Sequence, residues 1–155
     1  MISRSTKIIY ALLNFSGAAA AMPIVVYVLP YFATNLGMGL TTVGFIFIFG
    51  RVLDIFTDPL MGSLIDRYPS RWGKHKHWIA LSVPILMIST VLLYLPINSN
   101  PSGWYFFISL FLLYSGFTLS GITQLSWSVF LAPSYDDKTN LLTLREAVHV
   151  FFSLL

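Results

Sequence analysis

Three charged side chains lie in an otherwise apolar stretch of the sequence. Arg51, Asp54 and Asp58 are the only charged residues between Lys7 and Asp66. Spacings of three and four residues place all three on one face of a helix. The two carboxylates are hard oxygen donors that can converge on one small cation or share a proton, and Arg51 can neutralise Asp54 when no cation is bound. This chemistry is typical of ion-coupled transport; the alternative is a buried salt-bridge network that fastens the helix to its neighbours.

The composition places these charges inside a membrane. Of the 155 residues, 56% are hydrophobic and only 10% are charged, whereas about a quarter of the residues of a soluble domain are charged. A charge at the centre of a bilayer costs about 3 kcal/mol on insertion scales, so each one must pair, face water or hold an ion. The sequence therefore predicts an all-α, polytopic membrane helical bundle.

Several other chemistries are excluded by the residue types. The formal net charge is +3, but most basic residues lie in short loops and at the ends of apolar segments, which argues against a nucleic-acid partner. The chain has no cysteine, and His75 and His77 lie far from His149, so a disulfide, a thiol nucleophile and a zinc-type metal site are not expected. We expect no enzyme activity and no cofactor, only a coupling cation, sodium or proton. CDP-alcohol phosphotransferases also pair acids in the membrane, but their Asp-Gly and Ala-Arg steps are missing near Asp54.

Five apolar segments are long enough, at about 20 residues, to be membrane spans. They cover residues 8–36, 40–65, 78–95 and 104–131, with Gly37-Met38-Gly39 as the predicted turn between the first two, and a fifth begins near Leu144 and is cut at residue 155. The first is too long for a secretory signal peptide, which is the alternative for an N-terminal apolar segment. Because the sequence ends within an apolar run, we expect residues 1–155 to be the N-terminal part of one transporter-like domain whose C-terminal half is absent.

Lys and Arg are distributed asymmetrically among the connections. They precede the first span and lie between spans two and three and between spans four and five; the other connections have none. By the positive-inside rule the N-terminus is cytoplasmic, and we expect a multi-pass protein of the inner (plasma) membrane. The loop after span two either faces anionic lipid headgroups or forms a conformational latch, with Asp66, Arg67, Arg71 and Lys74 as its charged residues.

The second span contains three glycines and a proline. Gly44, Gly50 and Gly62 predict close helix contacts, because small residues are favoured at helix interfaces in membranes. Pro59 follows Asp58 directly and removes a helical hydrogen bond. The freed carbonyl could help to coordinate a cation, or the proline could serve packing alone.

Polar residues recur on one face of the fourth span. Ser120, Thr123 and Trp127 are spaced by three and four residues and so share a face. They either form hydrogen bonds between helices or make the polar wall of a substrate cavity, with Trp127 as a platform for a sugar ring. Arg145, near the start of the fifth span, would be a second buried cation.

The pattern of these residues resembles a known family. Arg-x-x-Asp-x-x-x-Asp-Pro-x-x-Gly from Arg51 to Gly62, followed by Asp66 and by Ser-Arg-Trp-Gly-Lys at residues 70–74, is similar to the second helix and following loop of the glycoside-pentoside-hexuronide:cation symporters. This is the melibiose-permease branch of the major facilitator superfamily (MFS). The resemblance implies a transporter of twelve helices in two halves, which couples a small solute, most simply a carbohydrate, to a cation by alternating access.

The resemblance also implies roles for individual residues. Asp54 and Asp58 match the carboxylates that form the sodium, lithium or proton site of the family. Thr57 stands where asparagine is common there, and Ser120 matches a hydroxyl that contributes to the cation site. Trp127 matches an aromatic residue beside the sugar, and Arg145 follows the loop that resembles the family's connection to helix five.

Two departures from the family concern the solute. Melibiose-type members hold sugar hydroxyls with one carboxylate on helix one and one on helix four, but the corresponding positions here are Ala18 and Thr123. Strong charge-assisted hydrogen bonds to the sugar are therefore lost. The solute is expected to be another sugar, or a lipid or other non-sugar solute as in related carriers. A non-transporting membrane protein and an inactive gene fragment are the remaining alternatives.

Overall fold

The computed structural model describes Tyr10 and residues 23–68, 76–97, 101–132 and 134–153, and these described residues contain helices and turns but no strand. The helices are α1 (Ile24–Asn35), α2 (Leu40–Arg67), α3 (Lys76–Tyr94), α4 (Gly103–Leu131) and α5 (Tyr135–Ser153). Within α1, Ile24–Val28 and Tyr31–Asn35 are turns of π-helix. The predicted all-α class is confirmed.

Apolar helices of membrane-spanning length account for most of the described chain. Three of them are long and apolar enough to cross a membrane: α2, α3 and Gly103–Val129 of α4. α1 is a shorter apolar helix, and residues 8, 9 and 11–22 of the predicted first span lie outside the described residues. The protein is an integral membrane protein.

A glycine turn joins α1 to α2 where the sequence predicts it. Gly37 and Gly39 have φ angles of 69° and 80°, which a residue with a Cβ rarely adopts. The amides of Met38 and Gly39 donate to the carbonyls of Phe32 and Ala33 at 3.3 and 3.1 Å. These bonds satisfy carbonyls at the end of α1, so the chain can reverse direction without leaving them unpaired.

α4 is the central helix of the bundle. It packs against both α2 and α3, and it also contacts α5. Half of its apolar segment is buried, against 11% for that of α2 and 17% for that of α3. Phe32 of α1 packs on Phe106 of α4 with ring centroids 4.6 Å apart. The rest of the core around this pair includes Val43, Leu93, Leu110 and Leu113.

Two glycines allow close approach to α4. A Cβ at Gly50 would lie 3.2 Å from Cε2 of Tyr114, and one at Gly116 would lie 2.8 Å from Cδ2 of Leu86. The close contact predicted for Gly50 is therefore present. At Gly44 and Gly62, by contrast, none of the described atoms would come within 4 Å of an added Cβ. The close helix contacts predicted for these two positions are therefore not seen among the residues that the structure describes.

Several buried hydroxyls of α4 bond to their own helix. The hydroxyls of Thr123 and Ser128 donate to the carbonyls of Leu119 and Leu125, each at 2.6 Å. Ser109 similarly donates to the carbonyl of Tyr105 at 2.8 Å. The Thr123 hydroxyl, for which the sequence predicts either bonding between helices or a place in a cavity wall, therefore bonds within α4 instead.

α5 begins before the apolar run that predicts it. The helix starts at Tyr135 rather than near Leu144 because its first turn is well capped. The Ser134 hydroxyl accepts a hydrogen bond from the amide of Asp137 at 3.2 Å, and the acidic side chains of that turn favour the positive end of the helix dipole. Leu141 is buried.

Candidate cation site

Arg51 and Asp54 form an ion pair on α2. Nη1 of Arg51 lies 3.6 Å from Oδ2 of Asp54, and the two side chains are 61% and 14% exposed. The spacing of three residues brings them to neighbouring positions on one helix face. The carboxylate is thus inside the bundle while the guanidinium lies at its open edge.

The guanidinium of Arg51 also lies against two aromatic rings. Its Cζ is 4.6 Å from the ring centroid of Tyr114 on α4 and 5.8 Å from that of Phe47 on α2. The rings of Phe47 and Tyr114 pack edge to face, with centroids 6.0 Å apart and an interplanar angle of 69°. Distances of this size allow a cation–π attraction from each ring. Arg51 therefore has an anion on its own helix and an aromatic face on the neighbouring helix.

A small cavity lies between α1, α2 and α4 beside this ion pair. Its volume is about 130 Å³, enough for a few water molecules at about 30 Å³ each or for a small, partly hydrated cation. The residues in the lining that carry polar side-chain groups are Asp54, Arg51, Tyr114 and Thr118, and the apolar ones are Ile24, Val25, Phe47, Leu113 and Phe117. One carboxylate with neutral oxygens suits a hard monovalent cation.

Asp58, the second predicted carboxylate, lies one turn beyond Asp54 on α2. It is exposed and is not part of the lining of that cavity. The hydroxyl of Thr57, between the two acids, makes a long hydrogen bond of 3.5 Å to the carbonyl of Asp54. Pro59 lies within the continuous helix α2 and cannot donate to the carbonyl of Ile55. Thr57 and the two acids thus occupy adjacent turns, with only Asp54 in the cavity.

The predicted latch residues lie at and beyond the end of α2. Asp66 and Arg67 are exposed in its last turn. Arg71 and Lys74 lie outside the described residues.

Tyr10 joins the first span to the predicted solute face of α4. Its buried hydroxyl donates to the main-chain carbonyl of Gln124 at 2.8 Å, and its ring centroid lies 6.2 Å from that of Trp127. Gln124 Nε2 in turn donates to the hydroxyl of Ser120 at 3.1 Å. Thr123 is buried. Tyr10 and Gln124 therefore connect to Trp127 and Ser120, two residues of the predicted solute face, but Ser120 is not part of the lining of the cavity at Asp54.

Arg145 is largely buried on α5. Its side chain is 16% exposed, and Nη1 lies 3.8 Å from Oε1 of Glu146. Nε is buried and has no hydrogen-bond partner among the residues that the structure describes. Nε of Arg145 can therefore donate a hydrogen bond to another group. Ala18, the other position of interest for the solute, lies outside the described part of the chain.

Sequence reasoning does not single out the two rings around Arg51. Phe47 lies four residues before Arg51, so helical spacing could have indicated it. Tyr114 gives no such signal, since its pairing with Arg51 depends on how α2 packs against α4. Tyr10 is missed for the same reason.

Comparison with known proteins gives the family. The family model described as "MFS/sugar transport protein" matches residues 9–155. The chain is 27% identical over 159 residues to an uncharacterised symporter of Synechocystis sp., an alignment that covers 97% of this chain and 29% of the symporter. It is 26% identical over 97 residues to an isoprimeverose transporter of Lactiplantibacillus pentosus, covering 62% of this chain and 20% of the transporter.

A third relative is a glucuronide carrier protein homolog of Escherichia coli (strain K12). It is 31% identical over 81 residues, which cover 52% of this chain and 17% of the carrier. The chain spans less than a third of the length of each of these three relatives. The three are named as a symporter, a transporter and a carrier protein homolog. Because the family model matches nearly the whole chain, the chain belongs to the MFS/sugar transport proteins, in the glycoside-pentoside-hexuronide:cation symporter branch of the major facilitator superfamily.

Proposed function

We propose that this protein works in a cation-coupled symporter that moves a carbohydrate across the inner membrane by alternating access, with its N-terminus in the cytoplasm. The observation that carries the proposal is the Arg51–Asp54 pair at 3.6 Å beside a cavity between three helices. Charged side chains within a membrane span cost free energy, and those that occur there usually serve a function. Here the function would be to bind a cation, which displaces Arg51 from Asp54.

The coupling cation, sodium or proton, would bind first at Asp54. Thr118 lines the same cavity and can add a neutral oxygen. Asp58, Thr57 and Ser120 are the further ligands that the family resemblance implies, and they would join when α2 and α4 shift between conformations. None of these three residues lines the cavity in the present conformation. The proposal therefore requires a movement of the helices to bring them to the cation.

Coupling would follow from the change of charge at this site. With the cation absent, Arg51 neutralises Asp54 and stabilises one conformation of the bundle. With the cation bound, the arginine is released and the solute-binding conformation is favoured, because a ligand shifts an equilibrium by its difference in affinity for the two states.

The solute site would lie around Trp127, Thr123 and Arg145. Trp127 offers an aromatic face to a sugar ring, and the buried Nε of Arg145 offers a charged donor. Relatives named for isoprimeverose and glucuronide favour a carbohydrate. The lack of acids at positions 18 and 123 favours one other than a melibiose-type galactoside.

The charged loop after α2 would contact the membrane surface and hold one conformation. Asp66, Arg67, Arg71 and Lys74 would face the cytoplasmic leaflet, where basic side chains are attracted to anionic lipid headgroups. A pair between Asp66 and one of the basic residues would act as a latch for one conformation.

The test uses the full-length gene product in proteoliposomes. Uptake of isoprimeverose and of a glucuronide is measured under an imposed sodium or proton gradient, and again as downhill exchange. Asp54→Asn and Asp58→Asn are expected to lose gradient-driven accumulation while exchange survives. The matched control Asp136→Asn removes an exposed carboxylate at the start of α5 and is expected to retain both. Accumulation at the wild-type level in both Asp54→Asn and Asp58→Asn would refute the proposal.

A further inference from the structure

The ring of Tyr114 is fixed from several sides. The residue is 6% exposed, and its Cε2 would lie 3.2 Å from a Cβ at Gly50, so the α2 backbone is close against it. The edge of the Phe47 ring contacts it from the same helix. Close packing on these sides leaves the ring little freedom to move.

The side chain of Arg51, by contrast, has little packing of its own. It is 61% exposed, and a long arginine side chain at a surface samples many rotamers unless contacts restrict it. The fixed face of Tyr114, 4.6 Å from Cζ of Arg51, is the nearer of its two ring contacts and comes from the neighbouring helix. The guanidinium thus lies between this ring and the carboxylate of Asp54, 3.6 Å away.

We propose that Tyr114 is a positioning residue that holds Arg51 beside Asp54 and thereby sets the cation concentration at which the site fills. The inference rests on the proposed function, in which Asp54 is a cation ligand. A positioned guanidinium competes with the coupling cation for the carboxylate. Removing the ring lets Arg51 move away, so the cation binds Asp54 more readily.

The first test separates the ring of Tyr114 from its hydroxyl. Tyr114→Leu removes the ring, and Tyr114→Phe keeps it. In the proteoliposome assay, the cation concentration for half-maximal uptake is expected to fall about two- to fivefold in Tyr114→Leu, the change that corresponds to a cation–π energy of about 0.5–1 kcal/mol. It is expected to stay within about twofold of wild type in Tyr114→Phe. The KM for the carbohydrate at saturating cation is expected to stay unchanged in both variants.

A matched control removes another buried ring from α4. Phe106→Leu deletes a ring that packs on Phe32 and lies outside the ring contacts of Arg51. It is expected to lower stability without changing the half-maximal cation concentration. A purely structural role of Tyr114 predicts the same behaviour for Tyr114→Leu.

The second test reads the position of Arg51 without transport. Detergent-solubilised protein is treated with phenylglyoxal, which modifies arginine, and the rate at each arginine is followed by peptide mass spectrometry. Arg51 is expected to react at least about twofold faster in Tyr114→Leu than in wild type or Tyr114→Phe. Arg67, which is exposed in the last turn of α2, serves as the internal reference.

Each outcome decides the inference. Unchanged Arg51 reactivity in Tyr114→Leu would overturn it, as would an unchanged half-maximal cation concentration in a protein that transports. Equal shifts in Tyr114→Phe and Tyr114→Leu would also overturn it, since the hydroxyl would then be the acting group. If the wild-type protein shows no cation-dependent uptake, the proposed function fails, and the claim that Tyr114 sets cation occupancy fails with it. Arg51 reactivity then still shows whether the ring holds the guanidinium.

Discussion

A Cβ atom at Gly50 would lie 3.2 Å from Cε2 of Tyr114, so α2 approaches this ring closely because position 50 has no side chain. The same ring lies against Arg51, one residue further along α2. Helix contact and charge placement are therefore linked through a single aromatic side chain. A change at this interface affects both packing and the ion pair.

Alanine at the three glycines is expected to lower stability in a graded order. Gly116→Ala places a Cβ 2.8 Å from Cδ2 and 2.9 Å from Cγ of Leu86, and overpacking of this kind costs about 1–3 kcal/mol. Gly50→Ala, at 3.2 Å from its nearest neighbour, is expected to cost less. Gly44→Ala, with no described atom within 4 Å, is the control. Thermal unfolding in mild detergent measures the series, and a Gly44→Ala loss equal to that of Gly116→Ala would contradict it.

Removing Arg51 is expected to destabilise the protein through Asp54. Arg51→Gln leaves a carboxylate that is only 14% exposed without its nearest cation. We expect a loss of about 1–3 kcal/mol, below the 3–5 kcal/mol for a fully buried pair because Arg51 itself is exposed. The double variant Arg51→Gln with Asp54→Asn should regain most of this loss.

The control for the Arg51 prediction is Glu146→Gln. It breaks the longer pair with Arg145, whose acid is 62% exposed, and is expected to cost less than about 1 kcal/mol. The measurement is a double-mutant cycle of unfolding free energies in detergent. Additive losses of Arg51→Gln and Asp54→Asn would show that the two side chains are not coupled.

Tyr10→Phe is expected to loosen the first span from α4. It removes the 2.8 Å hydrogen bond to the carbonyl of Gln124, which is worth about 1 kcal/mol. Because the Tyr10 ring lies near that of Trp127, tryptophan emission should shift at the same time. Tyr135→Phe, at an exposed position, should change neither quantity. Equal unfolding midpoints for Tyr10→Phe and wild type would rule out a stabilising role for this bond.

Ser134→Ala is expected to fray the start of α5. The variant loses the hydroxyl that accepts from the amide of Asp137, and the loss of such a cap costs about 1 kcal/mol. Hydrogen exchange at the amides of residues 136–138 should become faster, while exchange in α4 should stay as in wild type. Thr143→Ala, in the middle of α5, serves as the control, and equal effects of the two variants would argue against capping.

Local properties of the sequence were sufficient for the class of protein and for the position of its charges. Apolar length and low charge indicated the membrane helices, glycines indicated the turn before α2, and spacing of three residues indicated the pairing of Arg51 with Asp54. Each of these depends on neighbours along one helix or one loop. The apolar run near Leu144 did not indicate that α5 begins earlier, at Tyr135, because that start depends on the cap at Ser134.

Only the tertiary structure decided which residues from different helices meet. Helical periodicity put Asp54 and Asp58 on one face, but the packing of α2 against α4 places Asp54 in the cavity and leaves Asp58 outside its lining. The same packing brings Tyr114 to Arg51 and Tyr10 to Gln124. Such contacts depend on how far each helix is rotated and shifted against its neighbour. The pattern of residues along one helix determines its faces, but it does not determine which residue of another helix lies opposite.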